Sequence, residues 1–239
     1  MKTKVMKQVA TVLLLIATTS VWAQREDWAD FKHYAADNNR LQDSIRQSGW
    51  QPEAVFMGNS ITEGWGKTHP DFFAKHGFVC RGISGQTTYQ MLLRFNDDVL
   101  ALKPKVVIIL GGTNDIAENN HEYVISRTLS NIRSMAELAR LHGVAVVLCS
   151  VLPSSQYWWR KELTGIQPRI VQLNDSIRAY AESQHFPYVD YYAPMVYGPD
   201  RSLNPAYADD GVHPNSAGYD LMEPLVMKAV IDAFTYKRE

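Results

Sequence analysis

The chain has little of several things that would point elsewhere. It holds only two cysteines, Cys80 and Cys149, without metal-ligand spacing, which excludes a zinc site built on cysteine pairs. Each lies in an apolar run, FVC or VVLC, so two buried thiols are the simpler reading, with pairing in an oxidising compartment left open. An excess of one charge is missing too: 24 basic residues face 25 acidic ones, a formal charge of -1. That balance gives no electrostatic basis for binding nucleic acid or an anionic membrane surface. No Pro/Gly/Ser linker, charge block, repeat or low-complexity tract divides the 239 residues, which implies one domain with an ample core.

The first 23 residues differ from the rest. Lys2, Lys4 and Lys7 precede an apolar run over 9–17, and Val21-Trp22-Ala23 places small residues where a signal peptidase cuts. The run is short of the ~20 residues of a bilayer span, and Gln24, Arg25, Glu26 and Asp27 follow at once. We expect a signal peptide at 1–23, a single domain at 24–239, a periplasmic or secreted location, and no stable membrane insertion. Its removal leaves 21 basic against 25 acidic side chains.

Short apolar, β-branched runs recur at 54–57, 78–80, 106–110, 144–148 and 188–189. Continuous rather than alternating apolarity marks strands buried on both faces of a parallel sheet. Helical stripes fill the gaps: Trp28, Phe31, Ala35, Leu41 and Ile45; Ile125, Leu129, Ile132, Ala136 and Ala139, ending at Gly143; Ile170, Leu173, Ile177 and Tyr180; and a last helix over 216–234. This alternation predicts an α/β protein, a three-layer α/β/α sandwich on a five-stranded parallel sheet. Its ligand crevice lies beyond the carboxyl ends of the strands.

What stands at those ends is Gly58-Asn59-Ser60, Arg81-Gly82-Ile83-Ser84-Gly85, Gly111-Gly112-Thr113-Asn114-Asp115 and, before the last helix, Asp210-Gly211-Val212-His213-Pro214. Together they supply a hydroxyl, glycine N–H groups, an amide, and a carboxylate beside an imidazole. Acyl transfer needs these groups: a serine activated by a base, a carboxylate fixing the tautomer of that base, and donors for the oxyanion.

Four blocks, GNSIT, GISGQTT, GGTND and DGVHP, in this order, make the chain resemble the SGNH hydrolases, the GDSL esterase/lipase family. The resemblance runs from about residue 54 to the final helix. It implies a flavodoxin-like sheet and assigns Ser60 as nucleophile, His213 as general base and Asp210 as its orienting carboxylate. The oxyanion hole falls to the Ser60 and Gly85 N–H groups and the Asn114 amide; no metal or cofactor is implied. The sequence departs from the family pattern at Asn59 and Gln86, where aspartates are usual, and at Cys80, where many members carry asparagine. Both polar substitutes are expected to keep loop-bracing roles.

Structural readings stand beside these. Ser60 also suits a helix N-cap with Glu63 completing a capping box, Gly85 and Gly112 suit turns with positive φ, and Asn114 with Asp115 suits an ordinary turn. Ser150 is a rival nucleophile without a nearby base, and no GxSxG elbow is present. His33, His69, His76, His121, His142 and His185 lack paired ligand spacing and are expected at or near the surface. Tyr157, Trp158, Trp159 and Arg160, beside Lys161, read either as a loop packed on the core or as one wall of a substrate cleft, with Tyr191, Tyr192, Tyr197 and Tyr207 facing it. The expected function is an exported serine esterase removing acetyl groups from a carbohydrate. The alternatives are a lysophospholipase or acyl-thioesterase, and a noncatalytic carbohydrate-binding protein on the same scaffold.

Overall fold

The computed structural model describes residues 27 to 236; the expected signal peptide lies outside them. Helix α1 (Lys32–Ser48) precedes strand β1 (Ala54–Gly58), and α2 (Ser60–Thr68) and α3 (Pro70–His76) lead to β2 (Phe78–Gly82). Helix α4 (Thr88–Asp98) leads to β3 (Val106–Leu110), and α5 (Thr113–Ile116) and α6 (Ile125–Leu141) to β4 (Ala145–Cys149). Helix α7 (Ile166–Gln184) precedes β5 (Tyr188–Val189). A short α8 (Tyr192–Met195), a hairpin of β6 (Val196–Tyr197) and β7 (Ser202–Leu203), and α9 (Ser216–Tyr236) complete the fold. Among the described residues no helix is long and apolar enough to cross a membrane.

The five main strands pair in parallel in the order β2-β1-β3-β4-β5. The direction of winding reverses between β1 and β3, where the loops leaving the two strands diverge and open a crevice. Successive residues of each strand serve opposite layers. Val55, Met57, Val107 and Ile109 meet α4, α6 and α7, while Ala54, Phe56, Val106 and Ile108 meet α2, α3 and α9. Burial on both faces is the physical reason the strand sequences are apolar throughout.

The stripes over α6 and α7 are buried at Ile132, Ala136, Ala139, Ile170, Leu173 and Ile177. The N-terminal stripe is corrected: Trp28 and Phe31 are 45% and 41% exposed, and α1 begins only at Lys32. Leu41 and Ile45 are partly buried against the core, but the fully buried residue of α1 is Asn38. Its amide donates to Asp98 Oδ1 at 2.6 Å and accepts from Arg81 Nε at 2.9 Å. A helix docked through hydrogen bonds in this way shows a weak apolar period.

Cys80 lies on β2 and Cys149 on β4, with β1 and β3 between them. Three strand spacings place them roughly 14 Å apart, about twice the Cα separation a disulfide spans. Burial pushes the Cys149 thiol up to about 12, and Cys80 Sγ donates to the Thr62 carbonyl at 3.2 Å. We therefore expect two free thiols per chain to titrate in guanidinium without reductant, and Cys149 to stay inert to thiol reagents until the protein unfolds. A single unreactive pair in denaturant would contradict this topology.

Candidate active site

Strand β1 delivers the chain to a turn in which Asn59, not Ser60, caps α2: its Oδ1 accepts from Ile61 N–H at 3.1 Å. Ser60 is thus the first helical residue, its side chain free for other partners and its N–H among those a helix leaves without an internal acceptor. Ser60 Oγ lies 2.8 Å from His213 Nε2, and His213 Nδ1 lies 2.7 Å from Asp210 Oδ2. The other Asp210 oxygen accepts from the N–H groups of Val212 at 2.9 Å and His213 at 2.8 Å. Partial burial raises the Asp210 carboxyl, but these bonds outweigh it and hold it below its ordinary value. With Nδ1 donating to that carboxylate, Nε2 is left to accept the serine proton. The same spacing recurs in Asp30 and His33, paired at 3.2 Å at the exposed start of α1. The contact with Ser60 is therefore what distinguishes the DGVH turn.

The second block is pressed against this turn. A Cβ on Gly82 would lie 2.1 Å from Glu63 N and 2.6 Å from Asn59 O, so β2 approaches α2 at a distance only glycine allows. Glu63 forms no capping box with Ser60; its Oε2 accepts from Ser84 N–H at 2.8 Å and from the Ser84 hydroxyl. That fixes the loop carrying Gly85, which has φ 78°. Gln86 keeps the expected bracing role, donating to the Ala29 carbonyl at 2.7 Å and accepting from Arg94 Nε at 2.6 Å. Gly82→Ala is expected to cost about 2 to 4 kcal/mol, through overpacking that displaces backbone. It should also lower kcat, since the atoms that must yield belong to the Ser60 turn. Denaturant titration and ester hydrolysis would measure both.

In the third block Gly112 takes the expected positive φ, 124°, and Asn114 is buried with Nδ2 donating to Gln86 O at 2.9 Å. Asp115 is no exposed turn residue. It is fully buried and accepts from Thr88 N–H at 2.9 Å, Thr88 Oγ1 at 2.5 Å and Thr128 Oγ1 at 3.3 Å, tying α5 to α4 and α6.

The aromatic loop divides its residues between the two roles considered. Tyr157 is corrected as a ligand contact: it is fully buried beneath Trp159, ring centroids 5.0 Å apart. Trp158 is 57% exposed, and the Trp159 ring lies 6.4 Å from that of His213. Arg160 Nη1 donates to the carbonyls of Ala117 at 2.8 Å and Glu118 at 2.5 Å, which ties this loop to the one after α5. Of the opposing tyrosines, Tyr191 and Tyr192 are buried, and Tyr197 is exposed. Ser150 is buried as well, its Oγ accepting from the N–H groups of Tyr191 and Tyr192 at 2.9 and 3.0 Å. A serine so occupied braces the chain after β4.

A cavity of about 530 Å³ lies against the loop carrying Gly85, lined by Asp30, Gly85, Gln90, Asn120, Trp159 and Arg160 among others. Elsewhere, His69, Asp220 and Glu223 bring potential ligand atoms within 4.8 Å of one another. That grouping comes from α9 crossing the end of α2, and sequence spacing does not reveal it. His69 already bonds Glu223 at 2.6 Å and Ser216 at 2.9 Å.

Comparison with known proteins identifies the family of the chain. Residues 56–221 match the model of the GDSL-like lipase/acylhydrolase family. The crystal structure of a GDSL-like lipase from Bacteroides thetaiotaomicron is 48% identical, with a TM-score of 0.83, over 87% of this chain and all of that one. An acetylxylan esterase of Xylanibacter ruminicola is 26% identical over 212 residues, 73% of this chain and 42% of that protein. An uncharacterized lipoprotein of Bacillus subtilis is 40% identical over 99 residues, 37% of this chain and 41% of that protein. The chain spans about two fifths of the length of these two curated relatives. The chain belongs to the GDSL-like lipase/acylhydrolase family, whose members are ester-hydrolysing serine hydrolases.

Proposed function

We propose that the protein is an exported esterase that removes acetyl groups from a carbohydrate through an acyl-enzyme on Ser60. The observation that carries the chemistry is the continuous chain Ser60 Oγ, His213, Asp210, with contacts of 2.8 and 2.7 Å. As Ser60 Oγ bonds to the ester carbonyl carbon, its proton passes to His213 Nε2, and Asp210 stabilises the imidazolium. The oxyanion is held by the Ser60 and Gly85 N–H groups and the Asn114 amide. Collapse of the intermediate breaks the ester C–O bond, and His213 returns the proton to the departing alcohol. Water then attacks the acyl-serine, giving its proton to His213, and the acid leaves as Ser60 is reprotonated.

A carbohydrate ester fits the surroundings of Ser60. Exposed Trp158 and adjacent Trp159 offer ring faces on which sugars stack, and the cavity lined by Trp159 has room for a sugar ring. The similarity to an acetylxylan esterase supports the same class. Export is supported by the basic and apolar leader and by the similarity to a lipoprotein. In a p-nitrophenyl ester series from acetyl to octanoyl, kcat/KM should be highest for acetyl and fall at least about tenfold by octanoyl. Preference for eight carbons would favour the lysophospholipase or thioesterase reading. Acetate release from acetylated xylan and pectin fragments, followed by mass spectrometry, identifies the sugar.

A further inference from the structure

We infer that Asn119 is a positioning residue that holds the two loop-borne halves of the oxyanion hole together, with its polarity set by Trp159. This rests on the esterase reading above. Asn119 follows the GGTND block by a turn and is an exposed residue. Its Nδ2 donates to Asn114 Oδ1 at 3.0 Å and to the Gly85 carbonyl at 3.2 Å. One amide group thereby spans the second and third blocks, which arrive from different strands. Its own Oδ1 accepts from Trp159 Nε1 at 2.8 Å, and its N–H donates to Asn114 O at 3.1 Å.

The direction of these bonds is determined by donor counting. An indole N–H only donates, so the Asn119 atom facing it is the carbonyl oxygen, and the NH₂ must face Gly85 O and Asn114. Asn114 must then present its oxygen to Asn119, which turns its NH₂ towards Gln86 O at 2.9 Å. One Asn114 hydrogen is used there, and the second is left for the oxyanion. Were Asn114 reversed, its oxygen would meet the Gln86 carbonyl and its donor would point away from the reaction. The indole that lies beside His213 thus acts through Asn119 in the same sense as the Gln86 carbonyl, and together they fix which end of Asn114 a substrate meets.

The test compares p-nitrophenyl acetate hydrolysis by the full chain and by Asn119→Ala, Asn119→Asp, Trp159→Phe, Asn114→Ala and the Asn119→Ala/Asn114→Ala pair, with Ser60→Ala as reference. Turnover surviving Ser60→Ala overturns the esterase assignment itself. With Ser60-dependent turnover, Asn119→Ala should lower kcat about 10- to 30-fold with KM changed less than about twofold, a fraction of the about 10²- to 10³-fold loss for removing an oxyanion donor. Asn119→Asp keeps the shape and the acceptor for Trp159 but loses the donors, so it should lose at least as much. Trp159→Phe, which keeps a ring, should lower kcat about three- to tenfold. In the Asn114→Ala background the Asn119→Ala loss should shrink below about threefold. Equal losses in both backgrounds, or a raised KM with unchanged kcat, would overturn the role.

Discussion

Replacing Ser60 by alanine is expected to lower kcat towards p-nitrophenyl acetate by about four to six orders of magnitude, leaving only the catalysis that binding and oxyanion donors supply. The fold should survive, because the cap of α2 is the Asn59 side chain, and Ser60 Oγ bonds His213 across the crevice. His213→Ala should lose about as much. Asp210→Asn should lose about 10⁴-fold, since an amide accepts less well from Nδ1 and favours the tautomer whose Nε2 carries the proton. Steady-state kinetics with matched far-UV circular dichroism measures these losses. Hydrolysis within tenfold of wild type in folded Ser60→Ala protein would remove this serine from the chemistry and favour a carbohydrate-binding role for the scaffold.

The largest expected loss of stability lies one layer behind the site. Arg94 is fully buried and donates to Gln86 Oε1 at 2.6 Å, Asp98 Oδ2 at 2.6 Å, Gly58 O at 2.8 Å and Arg81 O at 3.0 Å. It joins the carbonyls ending β1 and β2 to the loop brace Gln86, and Asp98 passes the connection to Asn38 of α1. Arg94→Met removes a charge from low dielectric but strands Asp98, so we expect a loss of about 3 to 5 kcal/mol in urea unfolding. Arg94→Met combined with Asp98→Leu should recover part of it, because no lone carboxylate remains buried. A loss under about 1 kcal/mol for the single change would mean that the buried pair contributes little. The effect should reach catalysis too, since Gly58 O and Gln86 lie one or two residues from Ser60 and Gly85.

The layers of the fold were legible because strands covered on both faces leave an unbroken apolar signature, as in VVIIL over β3. Ser60 was legible from its place just after an apolar strand, and Asp210 with His213 from a carboxylate and an imidazole three residues apart before the last helix. Elements docked by polar contacts were not: α1 is held by Asn38, which hydrophobic periodicity counts against a buried face. Tyr157 and Trp158 are neighbours in sequence, yet one is buried and the other 57% exposed, a division set by tertiary packing. Gln86 and Asn59 illustrate a milder limit, since their type announced hydrogen bonding but not the partners, Ala29 O and Ile61 N–H. Asn119 carries no signal of its own; its importance comes from facing Gly85, Asn114 and Trp159 together.

The central claim is that Ser60 becomes acylated with His213 as its base. The most direct measurement is labelling of the full chain with a fluorophosphonate, followed by peptide mapping. The account predicts one adduct per chain on the peptide containing Ser60, absent from Ser60→Ala and slowed by at least about 10³-fold in His213→Ala. An adduct on Ser150, or undiminished labelling without His213, would contradict it.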